Sequence, residues 1–327
     1  MGDCNGIGPE VILKAIRSRR VRSVCRPVLV GSIEVFAFYA QALRLKLGFT
    51  EIDSPDSLMN HKGIPVIHLE RLAPLRIQPG RRHRIAGAYA GKAIERAAEL
   101  CLAGLVDGIV TAPVSKEMMV KAGYDYPGQT EMLAHLSKTP RVTMMLVANS
   151  FRVALATVHV PLHRVSSVLT RLRLTQTLSI VGTSLMTDFA LRRARIAVLG
   201  LNPHAGEHGL MGTEEQRIIT PAIRSFKMKG VEVAGPFPAD GFFGAGMQHN
   251  FDAVVAMYHD QGLIPLKMQG FSRGVNYSAG LPIVRTSPDH GTAFDLAGKN
   301  IANPGSMIHA IQLAASIVCH TNSFRRS

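Results

Sequence analysis

Tryptophan is absent from the 327 residues, and aromatic residues make up only 6% of them. Sequence-tolerant nucleic-acid binders stack bases on aromatic side chains set in a basic groove. No basic stretch here is interleaved with aromatics, so that class is poorly supported. Long apolar runs are missing too: none approaches the roughly 20 residues that cross a bilayer. The opening Met1-Gly-Asp-Cys-Asn-Gly has neither the basic start nor the apolar core of a secretory signal. Cysteine is scarce. Cys4, Cys25, Cys101 and Cys319 lie far apart and form no Cys-x-x-Cys pair, which argues against a disulfide scaffold and a zinc ribbon. A reduced cytoplasm is the expected compartment. Acidic residues are the minority charge, 23 against 37 lysines and arginines, for a net charge of +14. Part of the excess sits in short clusters such as Arg19, Arg20 and Arg22, or Arg192, Arg193 and Arg195. These read as solvated helix ends and loops around a site for anionic ligands, with an RNA-associated role as the alternative.

What remains is apolar and periodic. Hydrophobic residues make up 46% of the chain, and its length suggests about two domains. Strand-like runs alternate with helix-like stretches, which predicts an α/β protein with parallel layers. Strands are expected at Pro27–Val30, Ile64–His68, Gly108–Thr111, Val142–Val147, Val153–Val158, Ile196–Leu199 and Ala253–Met257. Helices are expected at Ile33–Leu45, Ala86–Leu105, Leu174–Phe189 and Glu214–Met228. Gly2–Glu10 reads as the turn from a first strand into a first helix, with Pro9 near the first helical position. The strand that would precede it is missing, so the sheet is expected to lack an edge strand.

Three histidines close apolar strand-like runs: His159, His204 and His259. Ligands bind outside the carboxyl ends of the strands in open α/β sheets. Three imidazoles delivered there can hold one divalent cation with positions left for substrate. His208 stands four residues after His204, the spacing of a helical zinc pair, but Pro203, Gly206 and Gly209 argue against a helix. His204 is therefore taken as the ligand. A polar set interrupts the next apolar runs: Lys267, Asn276 and Arg285. Positive groups there suit a phosphate or carboxylate.

The stretch His290-Gly-Thr-Ala-Phe-Asp295-Leu-Ala-Gly-Lys resembles the adenosine-binding loop of the isopropylmalate and isocitrate dehydrogenases. Ordered matches then run along nearly the whole chain: Gly2-Asp…Gly6-Ile-Gly-Pro-Glu10, Ala112-Pro-Val-Ser-Lys116, Gly128-Gln-Thr-Glu131, His159-Val-Pro-Leu162, Leu201-Asn-Pro-His-Ala-Gly-Glu207, Tyr258-His-Asp-Gln-Gly262 and Arg285-Thr-Ser-Pro-Asp-His-Gly-Thr292. Together they resemble the 4-hydroxythreonine-4-phosphate dehydrogenase family of pyridoxal phosphate (vitamin B6) biosynthesis.

The resemblance implies a fold of two α/β/α lobes with a cleft between them, like isopropylmalate and isocitrate dehydrogenase. The expected lobes are 1–125 with 275–327, carrying the adenosine loop, and 126–274, carrying the metal and dimerisation surfaces. His159, His204 and His259 fall on the family's metal ligands, contributed by both subunits of a homodimer. The cation is divalent: zinc, cobalt, magnesium or manganese. Gln129, Thr130, Lys267, Asn276 and Arg285 fall on substrate-binding positions. Gln129 departs from the family, which usually has His there; Gln can hydrogen-bond but carries neither charge nor proton. His290, Thr292, Ala293, Asp295 and Asn300 fall on the loop that holds NAD. Lys116, Asp240 and Asp260 are candidates for the general base, with Asp260 alternatively orienting a metal ligand. The implied reaction is metal- and NAD-dependent oxidation of 4-phosphohydroxy-L-threonine at its 3-hydroxyl, then decarboxylation to 3-amino-2-oxopropyl phosphate. The alternatives are a dehydrogenase for another phosphorylated hydroxy acid, such as 4-phosphoerythronate or 4-phosphothreonate, and a non-catalytic metal- or nucleotide-binding relative.

Overall fold

The computed structural model describes residues 1–53, 63–69, 77–270 and 273–326. Its strands are β1 (Leu29–Gly31), β2 (Phe49–Glu51), β3 (Ile64–His68), β4 (Gly108–Val110), β5 (Thr143–Ala148), β6 (Phe151–Leu155), β7 (Ala194–Leu199), β8 (Val231–Phe237), β9 (Ala253–Ala256), β10 (Val275–Ala279) and β11 (Val284–Pro288). They fall into two compact units, Met1–Pro140 with Leu281–Val318, and Arg141–Gly280 with residues 319–327. Residues 126–140, assigned from sequence to the other lobe, therefore belong to the first unit. The reason is packing: the helix Gln129–Leu136 buries Met132 and Leu133 against Ile94, Ala98 and Met119.

The first unit holds a small parallel sheet in the order β1-β3-β2 and the parallel pair β4-β11, in which Arg285 lies opposite Ile109. Its longest internal helix, Arg84–Leu102, starts where the His83 side chain accepts a hydrogen bond from the Ile85 N–H at 3.2 Å. Ala86, Tyr89, Ala90, Ala93 and Ile94 recur at helical spacing and are buried. The first helix, Gly8–Arg17, buries Val11, Leu13 and Ala15 in a core with Phe36, Tyr39, Val66 and Met307.

The second unit carries six strands in the order β10-β5-β6-β9-β7-β8. The sheet is rich in parallel pairs but includes antiparallel ones. β5 and β6 form an antiparallel hairpin turned at Asn149 (φ 54°), and β10 also runs antiparallel to β5. Two short strands separated by two polar residues close locally, whereas a parallel connection needs a crossover of a dozen residues or more. β6, β9, β7 and β8 are parallel. The core beneath them is Val153, Leu155, Leu199, Val254, Phe242 and Leu266, all at most 2% exposed. The helix expected over Glu214–Met228 is instead a π-turn, Glu215–Ile219, running into a short α-helix, Thr220–Ser225. The helix Arg171–Thr187 starts earlier than expected because Thr170 caps it, its hydroxyl accepting from the Arg173 N–H at 3.1 Å.

Candidate active site

Three adjacent parallel strands, β6, β9 and β7, end on one edge of the second unit, and each continues into a segment bearing a histidine. Past β6, the Thr157 hydroxyl donates to the Met257 carbonyl at 2.7 Å, tying the His159 segment to the His259 segment. Past β9, Gln261 accepts from the Met257 N–H at 2.7 Å and donates to the Gly200 carbonyl at 2.6 Å, tying His259 to the end of β7. The rings of His159 and His259 lie 6.0 Å apart between centroids. His259 opens the helix His259–Gly270, and its Nδ1 pairs with Asp260 Oδ1 at 2.7 Å. That contact can fix the tautomer, leaving Nε2 for a ligand.

His204 is presented differently. Residues His204 to His208 all have positive φ, between 41° and 83°. A left-handed turn costs roughly 1–2 kcal/mol for each residue with a Cβ, so it persists only where its surroundings hold it. His204 and His208, on the same coil, are both exposed. Among the described residues, no three His, Cys, Asp or Glu side chains are gathered tightly enough to hold a metal. The structure brings His159 and His259 together and leaves His204 on its own coil. The donor chemistry nonetheless fits a borderline divalent cation: three imidazoles on neighbouring strand ends, one oriented by a carboxylate.

Lys267 is half-buried on the His259 helix, and Asn276 is half-buried on β10. Asn276 Oδ1 is shielded from solvent and has no hydrogen-bond partner among the described residues, the mark of an amide awaiting a donor. Asp240 and Asp260 are both exposed, Asp260 by 72%, at the starts of the helices Ala239–Gly244 and His259–Gly270.

In the first unit, Arg285 is 2% exposed on β11. Its guanidinium donates to Thr111 Oγ1 (3.1 and 2.7 Å), Thr130 Oγ1 (3.3 Å) and Gln129 Oε1 (3.2 Å). Gln129 is itself fixed, its Nε2 donating to the Ala112 carbonyl at 3.2 Å. Burial pulls the Arg285 pKa down to about 10, and Glu131 opposes the fall. The group stays cationic at neutral pH beside the N-terminus of the helix Gln129–Leu136, a place that favours anions. Lys116, exposed, starts a helix capped by Ser115, and its Nζ lies 3.7 Å from where a Cβ on Gly128 would stand. Thr111, the shortest contact of Arg285, was not singled out from sequence. Its signal was present: a threonine immediately after β4, the strand paired with the one that carries a lone arginine.

The loop from His290 to Ala302 folds against the glycine turn of the same unit. Ile7 N–H donates to the Thr292 carbonyl at 2.9 Å, and a Cβ on Gly6 would lie 2.9 Å from that oxygen. Buried Glu10 accepts from the Ala302 N–H at 2.9 Å and from Lys14 at 2.7 Å; Lys14 also caps the Asn300 and Ala302 carbonyls. Ala293 (φ 40°) and Asn300 (φ 59°) are held left-handed. His290 Nε2 is shielded with no partner among the described residues. Asp295 is exposed. The loop is thus shaped by the turn, with a polar ring nitrogen left over for a ligand.

Residues 23–314 match the family described as Pyridoxal phosphate biosynthetic protein PdxA. The chain belongs to this family. It is 44% identical to a 4-hydroxythreonine-4-phosphate dehydrogenase of Prosthecochloris aestuarii, over 97% of this chain and 95% of that one. It is 41% identical to a D-threonate 4-phosphate dehydrogenase of Cupriavidus necator, over 97% and 95%. Among solved structures, the 4-hydroxythreonine-4-phosphate dehydrogenase of Klebsiella pneumoniae aligns with a TM-score of 0.86 at 40% identity, covering 97% of this chain and 98% of that one. These PdxA relatives are dehydrogenases of phosphorylated hydroxy acids.

Proposed function

We propose that the chain oxidises 4-phosphohydroxy-L-threonine at its 3-hydroxyl and releases CO2 to give 3-amino-2-oxopropyl phosphate, in pyridoxal 5'-phosphate biosynthesis. The observation that carries this reading is the buried Arg285, held by Thr111, Thr130 and Gln129 at a helix N-terminus. A forked cation in that setting recognises a phosphate or carboxylate. Lys267 supplies a second positive group, and Asn276 an unmet acceptor.

His159, His204 and His259 would hold a divalent cation, and the loop His290, Thr292, Ala293, Asp295 and Asn300 would hold NAD. When bound, the cation would supply Lewis acidity toward the substrate hydroxyl and the oxygen it becomes, and NAD would supply the hydride acceptor. The protein's own part is positional. Asp260 orients His259, and Lys116 or Asp240 is left as the group that takes the hydroxyl proton. The carboxylate bond to the neighbouring carbon then breaks, its electron pair entering the enolate that protonates to the product ketone.

We read the working form as a homodimer in the cytoplasm. Leu210 (85% exposed) and Met211 lie beside the His204 coil, and Ile264 and Met268 (83%) lie on the His259 helix. Apolar side chains that open to solvent on ligand-bearing segments suit cover by a second copy.

A second reading keeps the chemistry and changes the acid: 4-phosphothreonate or 4-phosphoerythronate. The Cupriavidus relative and the neutral Gln129 favour it. NADH formation by metal-supplemented protein with each substrate decides. Turnover on 4-phosphohydroxy-L-threonine alone supports the first reading, turnover on a phosphorylated aldonate alone the second. Silence on all three with NAD bound overturns both.

A further inference from the structure

We propose that Glu215 is a positioning residue for His204, acting through the left-handed coil rather than by touching any ligand. The inference rests on the reading of His204 as a metal ligand and extends it to a residue outside the histidine set. Glu215 is 3% exposed, at the first position of the π-turn Glu215–Ile219. π-Bulges gather at functional sites. Its Oε1 accepts from the Leu201 and Asn202 N–H groups, both at 2.8 Å, and its Oε2 accepts from Asn202 Nδ2 at 3.0 Å. Glu214 takes the other share of Asn202 Nδ2 at 2.9 Å, and Gln216 donates to the His208 carbonyl at 2.8 Å. One carboxylate thus fastens the two residues that enter the coil, immediately before Pro203 and His204.

The glycines around it mark how closely the fit is made. A Cβ on Gly206 would lie 2.6 Å from Glu215 Oε2, and one on Gly212 would lie 2.4 Å from Asn202 Nδ2. A Cβ on Gly200 would lie 2.9 Å from Ala205 Cα and 3.3 Å from Glu215 Oε1. The same stretch receives Gln261 at the Gly200 carbonyl, so the carboxylate and the Gln261 amide hold both ends of one path from His259 to His204. Among the described residues, the Glu215 carboxylate binds two backbone N–H groups and one side-chain amide at the entry to the left-handed coil. Groups that hydrogen-bond metal ligands typically change metal affinity 10- to 100-fold when removed; Glu215 acts one step further out, through the backbone that enters the His204 coil.

The test is Co2+ titration of the full chain, followed by visible absorption, for wild type, His204→Ala, Glu215→Ala, Glu215→Gln and Gly206→Ala, beside their melting temperatures. The expected result is at least tenfold weaker Co2+ binding and an altered spectrum in Glu215→Ala and Gly206→Ala. Glu215→Gln keeps one acceptor and should recover part of the affinity. If Glu215→Ala fails to fold, Glu215→Gln and Gly206→Ala carry the comparison. Wild-type affinity and spectrum in the Glu215 and Gly206 variants, with binding lost in His204→Ala, overturn the positioning role alone, even if melting temperatures drop. Wild-type binding in His204→Ala overturns the metal reading and this inference with it.

Discussion

At the scale of single residues, Arg285 is a charge buried on a strand, its guanidinium held by the hydroxyls of Thr111 and Thr130 and the amide oxygen of Gln129. An arginine flanked by Ile283 and Val284 was legible as a charge needing compensation beside buried strand residues. Gln129 and Thr130 were expected with it as substrate-binding positions, whereas Thr111, from a segment distant in sequence, was not. Arg285→Lys replaces a rigid fork by a point charge, so KM for the phosphorylated substrate should rise about 10- to 100-fold with kcat less affected. Equal loss in kcat and KM for a substrate lacking phosphate would break that assignment. Because its pKa is brought down to about 10, kcat/KM should hold from pH 7 to 9 and fall near pH 10. Asp3 makes the opposite case for stability. Burial raises its pKa above 3.8, against the N–H groups of Asn5 and Gly6. The native state therefore holds the proton over a window in which the unfolded chain has lost it. Stability from Asp3 is present below pH 3.8 and falls as pH rises through the native value. Asp3→Asn should raise Tm at pH 7, and the gap should close toward pH 4; a gap that does not depend on pH would refute this.

At the scale of elements, alternation of apolar runs and helical stretches was enough to locate most strands of the second unit, and the Ala-rich helix began within two residues of its expected start. Two kinds of element escaped. The β5-β6 hairpin and β10 are set by pairing partners, which a single run of residues does not encode. The entry to the His204 coil is bonded to Glu215, which from sequence falls simply within the helix expected over Glu214–Met228. Glycines in the helix Arg84–Leu102 pose a test of propensity against packing. Alanine there would gain about 1 kcal/mol of helix preference. A Cβ on Gly87, however, would lie 2.3 Å from the Met118 carbonyl oxygen, and one on Gly91 would lie 2.3 Å from the Tyr124 ring. Backbone yields less readily than a side chain, and overpacking costs roughly 1–3 kcal/mol. Gly87→Ala should therefore lower stability in urea unfolding, more than Gly91→Ala, and it should disturb the neighbouring helix that begins at Lys116. A stabilised Gly87→Ala would mean that the two helices slide apart freely.

At the scale of the whole molecule, the charge of +14 acts over longer distances than any bond described above, and the exposed apolar residues act by contact. A basic surface draws a multiply charged phosphate ester to the site and is screened by salt. The apolar residues argue for a partner of the same kind. Leu210 and Met268 are among the most exposed large hydrophobics, and each sits on a segment that carries a proposed metal ligand. If a second copy covers both, then Leu210→Glu with Met268→Glu should bury two carboxylates against apolar surface and split the dimer. Sedimentation should then report the mass of one chain in place of two. Co2+ affinity should fall in step, because the histidine segments lose the surface that steadies them. Arg285 lies in the other unit, so if it holds the phosphate as proposed, binding of inorganic phosphate should survive. A double variant that sediments as a dimer places the contact elsewhere. One that is monomeric yet binds Co2+ as wild type separates assembly from metal binding, and would make each chain's histidines sufficient alone.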